Sequence, residues 1–222
     1  MNSPLSTQKL APVPITDNKE ICPGVYLISW KRNKSFLPGQ VIKIALDLNM
    51  PPRIYSLCSG YKDDEMSMLF DINPDGFLTP HLAEAKPGTI IYVSEPYGSF
   101  ISDLSPAFWI ATGTGIAPFY GMFRSGLVVN KILIHGARHL NLFCFEKEFT
   151  AVLNKDYIRC CSAEKAPHVF HGRITEYISK TDSLPRDFKY YLCGGGMMVV
   201  EVRDLLIDKG IPFENILSEI YF

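Results

Sequence analysis

Phe108-Trp109-Ile110-Ala111-Thr112-Gly113-Thr114-Gly115-Ile116-Ala117-Pro118-Phe119 is the stretch on which the fold turns. Its first four residues form a short apolar run, suited to one buried strand. Two glycines flank Thr114 directly after it, and residues 116–123 read as the start of a helix. A strand that ends in a glycine turn and enters a helix is half of a β-α-β unit. Backbone N–H groups in such a turn can approach a phosphate, and a helix N-terminus favours the anion. The full G-x-G-x-x-G fingerprint is absent, because Pro118 holds the place of the third glycine. Taken alone, the turn suits a plain tight connection equally well.

Toward the C-terminus the same alternation continues. Residues 131–136, 157–161, 190–193 and 216–222 are apolar runs. Between them, residues 142–153 and 174–178 read as helical. A longer helix carries Met198, Val199, Val202, Leu205 and Leu206 on one side and stops at Gly210, with Pro212 beyond. Strands alternating with helices predict a parallel α/β sheet over 103–222. Gly194-Gly195-Gly196 follows the 190–193 run as Gly113-Thr114-Gly115 follows 108–111. Ligands of open α/β sheets bind at the carboxyl ends of strands, so the two glycine turns are expected to line one crevice.

Toward the N-terminus the texture differs. Residues 21–30, 41–48, 66–72 and 89–93 are short apolar or alternating runs. Turn signals at Pro38-Gly39, Pro51-Pro52, Pro74-Asp75-Gly76 and Pro87-Gly88 separate them. Many short strands at this spacing predict a small antiparallel β-barrel or sandwich over 1–102. One helix is expected near 79–85, with Thr79 as N-cap and Pro80 at its first position. The fold class is therefore two-domain, an antiparallel β domain followed by a parallel α/β domain, with the boundary near 102–105.

Composition narrows the function. Of 222 residues, 47% are hydrophobic and 20% charged, with 22 basic against 23 acidic side chains. That near-neutral balance provides no whole-molecule field for nucleic acid or an anionic membrane. No apolar run approaches 18 residues, and residues 1–11 lack a signal-type apolar core, so a cytoplasmic, membrane-free monomer is expected. The six cysteines include no C-x-x-C pair and no metal or iron–sulfur spacing. They are expected as reduced, mostly buried thiols.

Further motifs give the two halves a meaning. Arg53-Ile54-Tyr55-Ser56 resembles the R-x-Y-S flavin motif of the ferredoxin/flavodoxin–NADP reductase family, bacterial type. Phe36-Leu37-Pro38-Gly39-Gln40 is similar to that family's F-x-P-G-Q turn, and Gly98-Ser99-Phe100 to its G-x-F segment. Residues 111–119 resemble its pyrophosphate turn, Cys193 to Met197 its C-G-x-x-x-M nicotinamide motif with an extra glycine, and Glu219-Ile220-Tyr221-Phe222 its bacterial ending. The motifs occur in family order over residues 20–222.

The resemblance implies a flavin-binding β-barrel over 1–102 and an NAD(P)-binding α/β domain over 103–222. It implies an FAD enzyme that moves electrons between NADPH, or NADH, and a separate one-electron carrier, ferredoxin or flavodoxin. Arg53 would neutralise the flavin pyrophosphate, and Tyr55 would lie against one flavin face. Ser56 would hydrogen-bond flavin N5, and Leu78 with Thr79 would lie at the flavin phosphates. Tyr221 would cover the other flavin face and Phe222 would pack near the adenine. Cys193 would contact the nicotinamide and Glu219 would hydrogen-bond or relay protons beside it. Gly113, Thr114, Gly115, Gly194, Gly195 and Met197 would cradle the nicotinamide nucleotide.

Arg138, Ser162 and Arg173 match residues that hold the NADP 2′-phosphate, but Ala163 stands where the family's bacterial members carry arginine. Lys165 is a candidate substitute, and Glu164 would either repel the phosphate or accept NAD ribose hydroxyls. Lys31, Arg32 and Lys34 are the local candidate for docking an acidic carrier. The alternatives are an NADH-dependent reductase component of an oxygenase system, a free-flavin reductase, and a non-catalytic electron-transfer subunit of a larger complex.

Overall fold

The structure is a computed structural model that describes residues 9–221; Phe222 and the side chain of Tyr221 lie outside the described residues. Six strands form the first sheet: β1 (Ala11–Cys22), β2 (Val25–Lys31), β3 (Val41–Ala45), β4 (Arg53–Ser56), β5 (Glu65–Asp71) and β6 (Ile90–Val93). Their order is β4-β3-β6-β1-β2-β5, and every pairing is antiparallel. A bridge between Leu57 and Met68 brings the two edge strands together, so the sheet curls on itself into a barrel. Ile28, Trp30, Ile42, Ile44, Met66, Met68 and Phe70 fill its interior.

The expected run at 21–30 is two strands, because Gly24 at φ +74° reverses the chain between β1 and β2. Pro12 and Pro14 disguised the first part of β1. Both prolines face solvent in the segment that pairs with β6, while Val13 and Ile15 between and after them point into the core.

The barrel's helix, α1 (Leu78–Glu84), starts one residue before the expected position. Phe77 occupies the cap, and Thr79 sits inside the first turn. Its Oγ1 accepts the N–H of Asn73 at 2.8 Å, closing the Asn73–Gly76 turn rather than capping the helix. The other end of α1 is held from β1. Asn18 Nδ2 donates to the carbonyls of Leu82, Ala83 and Ala85 at 2.9, 3.2 and 2.8 Å. These are carbonyls at the helix's C-terminal end, of which Leu82 also accepts the Ala85 N–H.

The second sheet contains β7 (Ala107–Thr112), β8 (Lys131–Ala137), β9 (Tyr157–Cys161), β10 (Phe170–His171), β11 (Lys189–Gly195) and β12 (Ile216–Tyr221). The order is β10-β9-β8-β7-β11-β12, all parallel. Successive residues of β7 face opposite sides. Trp109 and Ala111 join a core with Phe119 of α2 (Ala117–Arg124) and Phe149 of α3 (Glu146–Leu153). Phe108 and Ile110 join another with α4 (Ile174–Lys180) and α5 (Gly196–Asp208). α3 begins at Glu146 rather than 142, because Phe145 takes φ +61° and breaks the helical run. The two-residue β10 is too short to carry a pattern.

The first core also contains Cys22, Cys58, Leu69 and Phe100, so the barrel and the parallel sheet share buried surface. α2 lies against the barrel at Gly121, where a Cβ would stand 2.9 Å from the Leu57 carbonyl oxygen. This shared core corrects the expectation of six reduced thiols. Cys22 at the end of β1 and Cys144 before α3 are disulfide-bonded, with Cα atoms 5.8 Å apart. Cys58, Cys160 and Cys161 are buried and unbridged. Among the described residues no helix is long and apolar enough to cross a membrane.

Asn18→Ala should lower stability by about 1–3 kcal/mol, the cost of leaving part-buried acceptors unmet. Urea unfolding measures this. Asn18→Asp, which sets a carboxylate against the same carbonyls, should cost more than alanine; equal midpoints for all three proteins would show that the clamp contributes nothing.

Candidate active site

β4 ends at the place where the two sheets meet. Arg53 at its start is exposed, and Ser56 at its end is buried. The Ser56 hydroxyl donates to Glu219 Oε2 at 2.7 Å, across 163 residues of sequence. Glu219 lies on β12, paired in register with Cys193 of β11, which pairs on its other side with Ala111 of β7. Ser56, Glu219 and Cys193 thus converge at the carboxyl ends of three strands. Burial pushes the Glu219 carboxyl up from its ordinary range, and the Ser56 hydrogen bond opposes this.

Tyr55 packs on the barrel core and stays partly exposed. Burial raises its phenol to about 12, with the Asp71 carboxylate adding to the rise and Arg53 opposing it. Leu78 and Thr79 lie half-buried at the start of α1. Around β4 and α1 the barrel leaves Leu37, Ile54 and Phe77 more than half exposed. Tyr97 was not singled out from the sequence. Val41 pairs with both Ser56 and Tyr97, which sets the three side chains on one face of the sheet. The Tyr97 hydroxyl is buried and lacks a hydrogen-bond partner among the described residues.

The two glycine turns interlock. A Cβ on Gly115 would stand 2.3 Å from the Cys193 carbonyl oxygen, and one on Gly194 would stand 2.4 Å from Thr112 Oγ1. Close approach of one strand end to the other therefore demands glycine at both positions. Gly113, at φ +55°, has open space where its Cβ would be, as does Gly195, and Met197 after it is exposed. Thr114 sits between the paired glycines in a single 3-10 turn.

A second cleft, of about 570 Å³, opens at the ends of β8, β9 and β10. Arg138, Ser162, Ala163, His171, Arg173 and Glu176 line it. Neither guanidinium is ion-paired among the described residues. Two arginines without an ion pair, beside a serine hydroxyl, have the chemistry to hold an anion. Lys165, expected there, is exposed and does not line the cleft. Glu164 explains this. Its carboxylate accepts the N–H of Leu140 at 3.0 Å and contacts His139 Nδ1 at 2.7 Å, which anchors the segment on the neighbouring loop. Those two contacts hold the carboxyl below its usual range. The histidine of His171-Gly172-Arg173 was readable beside Arg173 but carried no signal of its own.

The proposed docking cations are largely engaged within the barrel. Arg32 donates to the carbonyls of Gly60 and Asp63 and lies over the Phe36 ring at 4.7 Å. Lys34 pairs with Glu95. Lys31 is exposed at the end of β2.

The oxidoreductase NAD-binding domain family matches residues 109–204. The toluate 1,2-dioxygenase electron transfer component of Pseudomonas putida is 29% identical over 196 residues, which are 83% of this chain and 58% of that protein. The ferredoxin–NADP reductase of Azotobacter vinelandii is 29% identical over 227 residues, 87% of this chain and 88% of that one. Among solved structures, a ferredoxin–NADP reductase from Neisseria gonorrhoeae with bound FAD and NADP superposes with a TM-score of 0.87 at 20% identity, covering 96% of this chain and 99% of that one. The chain is thus similar to ferredoxin–NADP reductases over most of its length, and residues 109–204 form an oxidoreductase NAD-binding domain. The chain spans little more than half of the dioxygenase component's length.

The motifs that lie far apart in sequence meet at Ser56, Glu219 and Cys193. Tyr221 pairs with Gly195 through its backbone. Its side chain, and the whole of Phe222, fall outside the described residues.

Gly115→Ala should destabilise by about 2–4 kcal/mol, since the methyl meets backbone rather than a movable side chain. Gly113→Ala meets no atom, so it should cost only the left-handed conformation, about 1–2 kcal/mol. Thermal unfolding of the pair checks the ranking.

Glu219 gives a pH signature. Its folded-state pKa lies above the unfolded one, so its contribution is fully present below the ordinary glutamate range and is lost as pH rises through the raised value. The melting temperature of Glu219→Gln relative to the parent should therefore rise between pH 4 and pH 8. A difference independent of pH would show that the carboxylate is not held in an unfavourable site.

Proposed function

We propose that the protein is an FAD-dependent reductase that passes electrons between NADPH and a separate one-electron carrier such as ferredoxin or flavodoxin. The observation that carries this reading is the Ser56–Glu219 hydrogen bond beside Cys193. It joins the end of the barrel's R-x-Y-S strand to the strand ends where the glycine turns of the parallel sheet interlock. In this reading residues 1–102 hold the flavin and residues 103–222 the nicotinamide nucleotide.

The residues present fit both groups. For FAD, Arg53 offers an exposed guanidinium with no ion pair among the described residues. Leu37, Ile54 and Phe77 leave apolar surface in water beside it, of the kind a ring system covers. Tyr55 supplies an aromatic face, and Leu78 with Thr79 stand at the start of the helix that Asn18 clamps. For NADP, Arg138, Ser162 and Arg173 line an anion cleft whose guanidiniums are unspent. Gly113, Thr114, Gly115, Gly194 and Gly195 expose backbone at the strand ends. Met197 lies beside them.

When bound, the flavin supplies the step that links two-electron nicotinamide chemistry to one-electron carriers. The chain's own residues position and insulate that step. Ser56 donates its hydroxyl proton to Glu219, and the pair fixes the meeting point of the two halves. Glu219, buried and raised toward its protonated form, is suited to hold or move a proton there. Cys193, wholly buried between Ala111 and Glu219, excludes water there. Tyr221 is the residue we assign to cover the flavin, and Phe222 to pack near its adenine. In this reading the protein works in the cytoplasm, beside the cell's NAD(P)H. For the carrier, Lys31 is the member of the candidate basic loop not otherwise engaged.

A second reading is an NADH-dependent reductase component of an oxygenase system. The likeness to the toluate dioxygenase component and the missing guanidinium at Ala163 both support it.

Anaerobic titration of the FAD-loaded protein with NADPH and NADH, followed by flavin absorbance, separates the readings. Preferential bleaching by NADPH supports the first, and preferential bleaching by NADH the second. Failure to bind FAD at all would overturn both. Arg173→Ala should raise the KM for NADPH about ten- to hundred-fold, the worth of a charge-assisted pair, with a smaller change for NADH.

A further inference from the structure

We infer that His171 is a specificity-determining residue of the Arg138–Arg173 cleft, binding the 2′-phosphate only when it is protonated and so taking up a proton with each NADP(H). The inference rests on the NADP(H) reading above and deepens it. His171 lines the cleft together with Arg138, Ser162, Ala163, Arg173 and Glu176, and its side chain is exposed to solvent there. Its Nδ1 lies 3.2 Å from the Glu164 carbonyl oxygen.

That contact decides the proton's place. A carbonyl oxygen only accepts, so Nδ1 must carry a hydrogen. The neutral ring then leaves Nε2 with a lone pair. A phosphate dianion also presents only acceptors, and two acceptors make no bond. Protonation turns Nε2 into a donor and adds a positive charge, and both favour the phosphate. Histidine is the side chain that changes between these states near neutral pH.

The charged surroundings support the coupling. Arg138 reaches the cleft from the end of β8, and Arg173 and Glu176 from the start of α4. The Glu164 carboxylate is committed to Leu140 N–H and His139, leaving its carbonyl to fix His171. Lys165 lies outside the cleft lining. With alanine at 163, the imidazolium is the third cation available to a phosphate bound there.

Isothermal titration calorimetry tests this on FAD-loaded protein, with adenosine 2′-phosphate as the probe and adenosine as its phosphate-free control. Runs at pH 6.5 and 8.0, each in two buffers of different ionisation enthalpy, read the protons exchanged. The sign is diagnostic. Two arginines alone stabilise the phosphate dianion and so release protons, whereas His171 takes them up. Expected are net proton uptake at pH 8.0, an affinity lower there than at pH 6.5 by about five-fold, and loss of both in His171→Gln. Proton release by the parent, a flat affinity, or uptake that persists in His171→Gln would overturn the inference while leaving the NADP(H) reading standing. Adenosine 2′-phosphate binding no tighter than adenosine at either pH, or binding unchanged in Arg173→Ala, would overturn the NADP(H) reading and the inference with it.

Discussion

A single hydroxyl–carboxylate bond, Ser56 to Glu219, fixes where the two sheets meet. Ser56 terminates β4 at the edge of the barrel, and Glu219 lies on β12 at the edge of the parallel sheet. Each sheet has a packed core of its own, and the contact lies between the two. The seam is joined by this polar contact and packed by a shared core that includes Leu69, Phe100, Trp109 and Phe119. A polar pair there keeps direction: a hydrogen bond loses most of its strength with misalignment, whereas apolar contact tolerates sliding.

Two close backbone approaches sharpen that geometry. Gly121 lets α2 reach the Leu57 carbonyl, and Gly115 lets the first glycine turn reach the Cys193 carbonyl. The first sets the barrel against the parallel sheet, and the second sets β7 against β11 at the same end. Phe100 connects the two, meeting Tyr191 of β11 edge-on at 5.4 Å and Phe119 of α2 at 5.9 Å. A displacement at either glycine would therefore move Cys193 relative to Ser56, and the seam would lose its register.

Much of this was legible in the sequence where local pattern and tertiary role agree. The 108–119 stretch is a strand, a glycine turn and a helix in both readings, because burial on both faces demands a continuous apolar run. Four features escaped because a distant partner decides them. β1 carries two prolines, and only its pairing with β6 shows that their missing N–H groups face water. Thr79 looked like a cap, but Asn73, six residues back, takes its hydroxyl. Cys22 and Cys144 lie 122 residues apart and meet only through the shared core. Lys165 was placed by sequence neighbourhood, whereas Glu164 draws that segment away to Leu140 and His139.

The proposed preference for a 2′-phosphorylated nucleotide rests on the same removal of Glu164. In sequence, alanine at 163 followed by an acid argues against a 2′-phosphate. In the structure the acid has left the cleft, and its two contacts lower its basicity further. The formal charge lining the cleft is then two arginines against Glu176, a balance of +1 before His171 is counted. Glu176 is itself partly spent, since it accepts the Arg173 N–H at 3.2 Å. A site with unpaired guanidiniums and a net positive balance gains most from a ligand that brings its own negative charge. A nucleotide lacking the 2′-phosphate would leave both arginines with water alone. On the proposed reading, discrimination would need no direct repulsion of NADH, only the loss of two charge-assisted contacts that a 2′-phosphate would supply.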